Sequence, residues 1–162
     1  MSVSTHRVWR FGADIDTDVL APGAYMKLGI EGIAPHCLES VRPEFAREVQ
    51  RGDVLVAGPN FGIGSSREQA AAALVHLGVA AVIAPSYSGL FFRNAFNVGL
   101  LLLTCKESDV LQEGEQVSTD LHRLQLVLPS KRVLQCDRVP DFLLDMVQAG
   151  GLLKQLKKRY GK

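Results

Sequence analysis

The sequence predicts an α/β fold: a single domain, 1–162, with a mainly parallel βαβαβ core and β-rich flanks. Three observations lead to it. Between residues 53 and 104, three short apolar runs alternate with two segments of helical character, and each of these ends at a glycine. The apolar runs are continuous rather than alternating, as expected of parallel strands covered by helices on both faces. After Ser108 the texture changes to alternating polar and apolar residues around a Pro-Ser-Lys turn, the pattern of a hairpin.

Taken in order, residues 5–11 alternate in polarity and predict a strand. Residues 12–32 are rich in Gly, Pro and Asp and lack apolar periodicity, which predicts a long loop; an ordered loop of that length is usually functional. Residues 43–50 predict a short helix. The central run then gives a strand at 53–57, a helix at 66–77 stopped by Gly78, and a strand at 79–84 closed by Pro85. A helix at 88–98 ended by Gly99 and a strand at 100–104 complete it. Residues 116–127 and 132–136 form the two arms of the hairpin, turning at Pro129-Ser130-Lys131. Pro140 opens a final helix that carries Gly150-Gly151 in its middle.

Bulk properties exclude several classes. Eighteen basic residues against 17 acidic ones, net +1, argue against a nucleic-acid binder. The basic tail at 154–162 is expected to be the solvated face of the last helix. The N-terminus has no apolar signal core, and no apolar run approaches the length of a membrane span, so a soluble, cytoplasmic protein is expected. Cys37, Cys105 and Cys136 are odd in number and widely spaced, which suits a reducing compartment and three ordinary half-buried thiols.

The most informative stretch is residues 58–69, Gly-Pro-Asn-Phe-Gly-Ile-Gly-Ser-Ser-Arg-Glu-Gln. An apolar strand runs into a glycine-rich turn that ends in two serines and an arginine where a helix begins. Backbone N–H groups, two hydroxyls, a guanidinium and the helix dipole then meet at one point, a site for a small carboxylate or phosphate. A structural explanation competes with this one. Ser65 with Glu68, and Ser66 with Gln69, both match a capping box. Capping does not account for two adjacent serines followed by arginine, nor for glycines at 58, 62 and 64. The spacing fits neither a P-loop nor a dinucleotide fingerprint. From the residues alone, a capped turn and an anion site both stay open.

Residues 60–68, Asn-Phe-Gly-Ile-Gly-Ser-Ser-Arg-Glu, resemble the signature of the aconitase C-terminal swivelling domain. As a free-standing chain of this length, the sequence is similar to the small-subunit family of 3-isopropylmalate dehydratases. Three further stretches match in order: Asp14-Ile15-Asp16-Thr17-Asp18 with Pro22 and Tyr25, then Phe92 to Leu100, then Ala149-Gly150-Gly151-Leu152. The resemblance implies a swivelling β/β/α domain and a hydro-lyase. The reaction implied is isomerisation of 2-isopropylmalate and 3-isopropylmalate through 2-isopropylmaleate, in leucine biosynthesis. It implies that Ser65 is the catalytic base, that Ser66 helps hold substrate and that Arg67 binds a substrate carboxylate. It places Asp18 near the metal cluster as a second catalytic residue, and Tyr25 and Lys27 in a substrate-discriminating loop.

Expelling hydroxide calls for a Lewis acid. Three scattered cysteines do not make an iron–sulfur site, and the histidines show no metal spacing. The resemblance puts the four-iron four-sulfur cluster in a large partner subunit, in a heterodimer or heterotetramer, and implies no metal in this chain. Asp14-x-Asp16-x-Asp18 is no calcium loop, because Val19 and Tyr25 stand where such a loop has Gly and Glu. In the family, an apolar residue at position 27 goes with the isopropyl group and an arginine with the extra carboxylate of homoaconitate. Lys27 matches neither, since its charge could meet a carboxylate or its stem line an apolar pocket. Homoaconitate, methylcitrate or dimethylmalate therefore remain alternative substrates, and a non-catalytic anion-binding module remains an alternative function. Arg93 and Asn94 are expected to pack rather than to line the site.

Overall fold

The computed structural model describes residues 4–161; Met1 to Val3 of the N-terminus and Lys162 of the basic tail lie outside them. Seven strands form one sheet: β1 (Ser4–Arg10), β2 (Val54–Val56), β3 (Ala81–Ala84), β4 (Leu101–Thr104), β5 (Gln116–Asp120), β6 (Gln125–Val127) and β7 (Val133–Gln135). Their order is β4-β3-β2-β1-β5-β6-β7. The first half is parallel, with Val8 opposite Val54, Val54 opposite Ala81 and Ala81 opposite Leu101. The second half is antiparallel from β1 outward. β1 is thus the seam where the two halves meet.

The crossovers are α4 (Glu68–His76), between β2 and β3, and α5 (Gly89–Asn97), between β3 and β4. β2 and β3 are buried along their whole length, which is why their sequences are apolar without alternation. The loops that follow β1, β2 and β3 all leave from the carboxyl ends of parallel strands. That edge is where ligands bind in open α/β sheets.

Three sequence expectations of secondary structure are corrected. Residues 12–32 are not a plain loop: they fold into α1 (Thr17–Leu20), a 3-10 helix (Gly23–Leu28) and α2 (Gly29–Ile33). These pieces are too short for a helical period to show. They are held by burial of Leu20, Ala21 and Ile33 and by Asp16, whose Oδ1 accepts from Val19 N at 2.9 Å. Residues 116–127 are two strands rather than one, because Asp120 accepts from the backbone N–H groups of His122 and Arg123 and turns the chain. The last helix is two, α6 (Asp141–Ala149) and α7 (Leu152–Tyr160). They are broken where Gly150 and Gly151 take φ of 91° and 114°. The short helix expected at 43–50 is α3 (Phe45–Glu48). The three cysteines are buried rather than half-buried.

Phe45 anchors the loop segment against the sheet. Its ring meets Trp9 and Phe11 edge-on, with centroids 5.1 and 5.5 Å apart. Beside it lies a buried carboxylate, Asp53, just ahead of β2. It accepts from Trp9 Nε1 at 2.8 Å, Arg7 Nη2 at 2.9 Å and Gln50 N at 2.9 Å. Burial pushes its pKa up, but the Gln50 N–H, the Trp9 indole and the Arg7 guanidinium outweigh this and hold it below the ordinary value. The carboxylate's stabilising contribution is therefore complete above the unfolded value of about 4. It is lost as pH falls through the lower folded value. Asp53→Ala is expected to cost about 3 kcal/mol at neutral pH. The deficit should narrow as pH drops below about 4. Urea melts of both proteins across that range check it, and an unchanged deficit at low pH would contradict the assignment.

Candidate functional site

The site begins where β2 ends. The glycine-rich turn runs back over the end of the sheet, and residues 12–17 lie alongside it. Gly58 N donates to Gly12 O at 3.0 Å, Asp14 N to Pro59 O at 2.9 Å, Gly62 N to Ile15 O at 2.7 Å and Thr17 N to Ile63 O at 2.8 Å. On its other side the turn joins the chain after β3, with Phe61 N donating to Ser86 O and Ser88 N to Phe61 O. Gly62 has φ of 83°, and a Cβ there would sit 2.2 Å from Phe91 Cγ. A side chain at that position would push α5 off the turn.

The two serines do not cap the helix. The N-cap of α4 is Arg67, extended at φ −114° and ψ 110°, and no side chain bonds to the first turn. The helix starts too late for either capping box, so the register that Ser65-Glu68 and Ser66-Gln69 need is missing. Ser65 and Ser66 are exposed. Of the two explanations left open by the residues, the capped turn is thereby removed. What remains is an uncapped nine-residue helix whose positive end lies beside two hydroxyls and a guanidinium.

Arg67 reaches across to the first loop. Its Nη1 donates to Asp18 Oδ1 at 2.7 Å and to Ala21 O at 2.9 Å. Asp18 Oδ1 also accepts from Gly23 N at 3.0 Å. The Arg67 hydrogen bond, with the Gly23 N–H behind it, holds the Asp18 carboxyl below its ordinary pKa, so it is an anion at neutral pH. The structure thus brings Ser65, Ser66, Arg67 and Asp18 to one edge. The Nε and Nη2 groups of Arg67 carry no hydrogen bond among the described residues, leaving an edge for a carboxylate.

Tyr25 and Lys27 lie on the 3-10 helix that begins at Gly23. The Tyr25 ring is stacked on His36, with centroids 3.6 Å apart and planes 5° from parallel, and His36 Nδ1 is 2.8 Å from Glu39 Oε1. Tyr25 is therefore fixed in orientation, whereas Lys27 is exposed at the end of the helix. Asp14, Asp16 and Asp18 diverge: Asp14 accepts from Asn60 Nδ2, Asp16 caps α1 and Asp18 pairs with Arg67. Among the described residues no three His, Cys, Asp or Glu side chains come together to hold a metal ion. The three cysteines are free and buried.

One contact departs from the sequence expectation. Asn94 Nδ2 donates to Ser66 Oγ at 3.4 Å, so Asn94 belongs to the site rather than to packing. It stands one helical turn beyond Phe91, the residue that packs against Gly62. Arg93 is exposed and lines a groove with Phe142 and Arg159 instead.

The profile of the aconitase C-terminal domain matches residues 39–108, which include the serine pair and Arg67. A 3-isopropylmalate dehydratase small subunit 1 from Archaeoglobus fulgidus is 46% identical over 158 residues, covering 94% of this chain and 98% of that one. A methanogen homoaconitase small subunit from Methanothermobacter thermautotrophicus is 43% identical, covering 94% of this chain and 89% of its own. The crystal structure of a 3-isopropylmalate dehydratase from Methanocaldococcus jannaschii superposes with a TM-score of 0.90 at 38% identity, covering 98% of this chain and 95% of that chain.

The Asp18–Arg67 pair is testable in isolation. Carbon-detected NMR should show Asp18 titrating below the ordinary carboxylate range, about 3.9. It should move back up in Arg67→Ala. A titration that ignores the substitution would mean the pair is not formed in solution.

Proposed function

Because the chain belongs to the aconitase C-terminal domain family, and within it to the small subunits of 3-isopropylmalate dehydratases and their homoaconitase relatives, we propose that it is one half of a hydro-lyase active site. The reaction is the interconversion of 2-isopropylmalate and 3-isopropylmalate through 2-isopropylmaleate, the leucine-pathway step implied by its relatives' names. One observation carries this reading: Ser65, Ser66 and Arg67 stand at an uncapped helix N-terminus, with Asp18 drawn in beside them.

In this reading Ser65 takes the proton from the carbon next to a substrate carboxylate. A serine hydroxyl is a poor base unless its anion is stabilised, and the open N–H groups of α4 and the Arg67 guanidinium supply positive potential where that charge forms. Arg67 also receives the substrate carboxylate on its Nε–Nη2 edge. Ser66, steadied by Asn94, supplies a further hydrogen bond. Asp18 keeps Arg67 aimed, and Tyr25 and Lys27 border the space beside it. The Lewis acid for hydroxide departure is an iron–sulfur cluster carried by a large partner subunit, and the two chains form the site between them.

A second reading is favoured by Lys27. An exposed cation at the substrate-discriminating position suits an additional carboxylate, and a homoaconitase small subunit is about as similar as the dehydratase subunits. The test is a hydration assay on the chain purified anaerobically with its large subunit. The panel is 2-isopropylmaleate, homoaconitate, cis-aconitate and dimethylmaleate. Ser65→Ala is expected to lower kcat by about a thousandfold. Arg67→Ala should lower kcat/KM about a hundredfold, with only partial recovery in Arg67→Lys, because lysine lacks the planar fork. Turnover of homoaconitate in preference to 2-isopropylmaleate selects the second reading. No turnover of any alkene acid by the assembled protein would overturn both.

A further inference from the structure

Thr17 opens α1 and lies under the glycine turn. It is 2% exposed, and its Oγ1 is buried without a hydrogen-bond partner, the one side-chain polar atom so placed among the described residues. The backbone of Thr17 is satisfied: its N–H donates to Ile63 O at 2.8 Å and its carbonyl accepts from Ala21 N at 2.8 Å. Only the hydroxyl is idle. A helical threonine ordinarily bonds back to the carbonyl three or four residues earlier. Thr17 is the first residue of its helix, and Asp14, three residues back, has φ of 57°, so no helical carbonyl is available. Valine would have the same shape without the buried hydroxyl. A hydroxyl kept buried and unpaired calls for an explanation of its own.

Its surroundings supply one. A Cβ built on Gly64 would lie 3.2 Å from Thr17 Oγ1 and 3.6 Å from Asp16 Cβ. Gly64 has φ of 103° and carries no side chain, so the hydroxyl faces the backbone immediately before Ser65. The next Cα is only about 3.8 Å further along the chain. The torsions of Gly64, which has no Cβ, set where Ser65 points.

We infer that Thr17 is a positioning residue for Ser65, its hydroxyl donating to Ser65 Oγ when that oxygen carries negative charge in the assembled enzyme. The inference rests on the assignment of Ser65 as base. Ser65 as alkoxide accepts the substrate's proton and becomes neutral; Thr17 keeps its own proton throughout. The donor is buried and has no acceptor among the described residues, so its hydrogen bond is kept for Ser65.

The test compares Thr17→Val and Thr17→Ser. In the isolated chain, Thr17→Val should melt at or above the wild-type temperature, because an unpaired buried hydroxyl has been removed. In the assembled protein it should lower kcat about tenfold, with KM within threefold of wild type. Losing the donor raises the pKa of the Ser65 hydroxyl, so the ascending limb of its pH profile should move to higher pH. Thr17→Ser should restore kcat and the profile. A large fall in melting temperature for Thr17→Val would show a structural partner for the hydroxyl and overturn the inference, as would unchanged kcat. If wild type turns over none of the alkene acids, the hydro-lyase reading has failed and the inference falls with it. An active wild type with unchanged kcat in Thr17→Val overturns the inference alone.

Discussion

The four backbone hydrogen bonds between residues 12–17 and 58–63 are the constraint on which the rest of the site depends. They tie the segment after β1 to the turn after β2, and so fix how Asp18 sits relative to Arg67 and how Thr17 sits beneath Gly64. Backbone bonds suit this task. They are short, they do not depend on long side chains, and their geometry sets a register. Of the strands behind them, β2 is buried along its whole length. The turn can therefore carry several residues at positive φ, with Asn60, Gly62 and Gly64 at 64°, 83° and 103°. Glycine takes such angles without strain, and Asn60 is held there by Ser86 Oγ, which accepts from its N–H at 2.9 Å.

Arg67 is the electrostatic hinge of the arrangement. Its side chain is 25% exposed and that of Asp18 67% exposed. A pair this open contributes little to stability and is weakened further by salt. What the pair does is orient: Nη1 is taken by Asp18 and Ala21, which turns the remaining edge of the guanidinium outward. Asp18 also offsets part of the arginine's charge. A monoanion gains less from such a site than a ligand with two carboxylates, one of which meets the helix N-terminus instead.

The βαβαβ core was legible because burial on both faces makes parallel strands continuously apolar, and because Gly78 and Gly99 punctuate the helices that join them. For the Ser65-Ser66-Arg67 triplet the residues left an anion site and a capping box both open. That distinction lies in the extended backbone of Arg67, which no local pattern encodes. The short helices of 12–32 were not legible, since four or five residues span barely more than one turn and are held by docking of Leu20 and Ile33 rather than by propensity. Nor were the pairs Asp18–Arg67 and Ser66–Asn94. Each joins residues far apart in the chain, 49 and 28 positions, and depends on how loops cross. Gly150-Gly151 was seen but placed inside one helix, whereas two successive residues at positive φ end a helix outright.

Ser65 and Ser66 face water, and this decides what the chain achieves alone. Two unit charges 4 Å apart attract by about 1 kcal/mol in bulk water and about 4 kcal/mol at an effective dielectric of 20. The helix N-terminus and the guanidinium beside Ser65 obey the same ratio. In the open edge described here, they stabilise an anion too weakly to turn a serine into a base. Covering the edge with a second protein surface changes no residue of this chain and still strengthens each of these interactions several-fold. A site built in this way gains its power from closure. In the proposed assembly, the surface that completes its groups belongs to the large subunit.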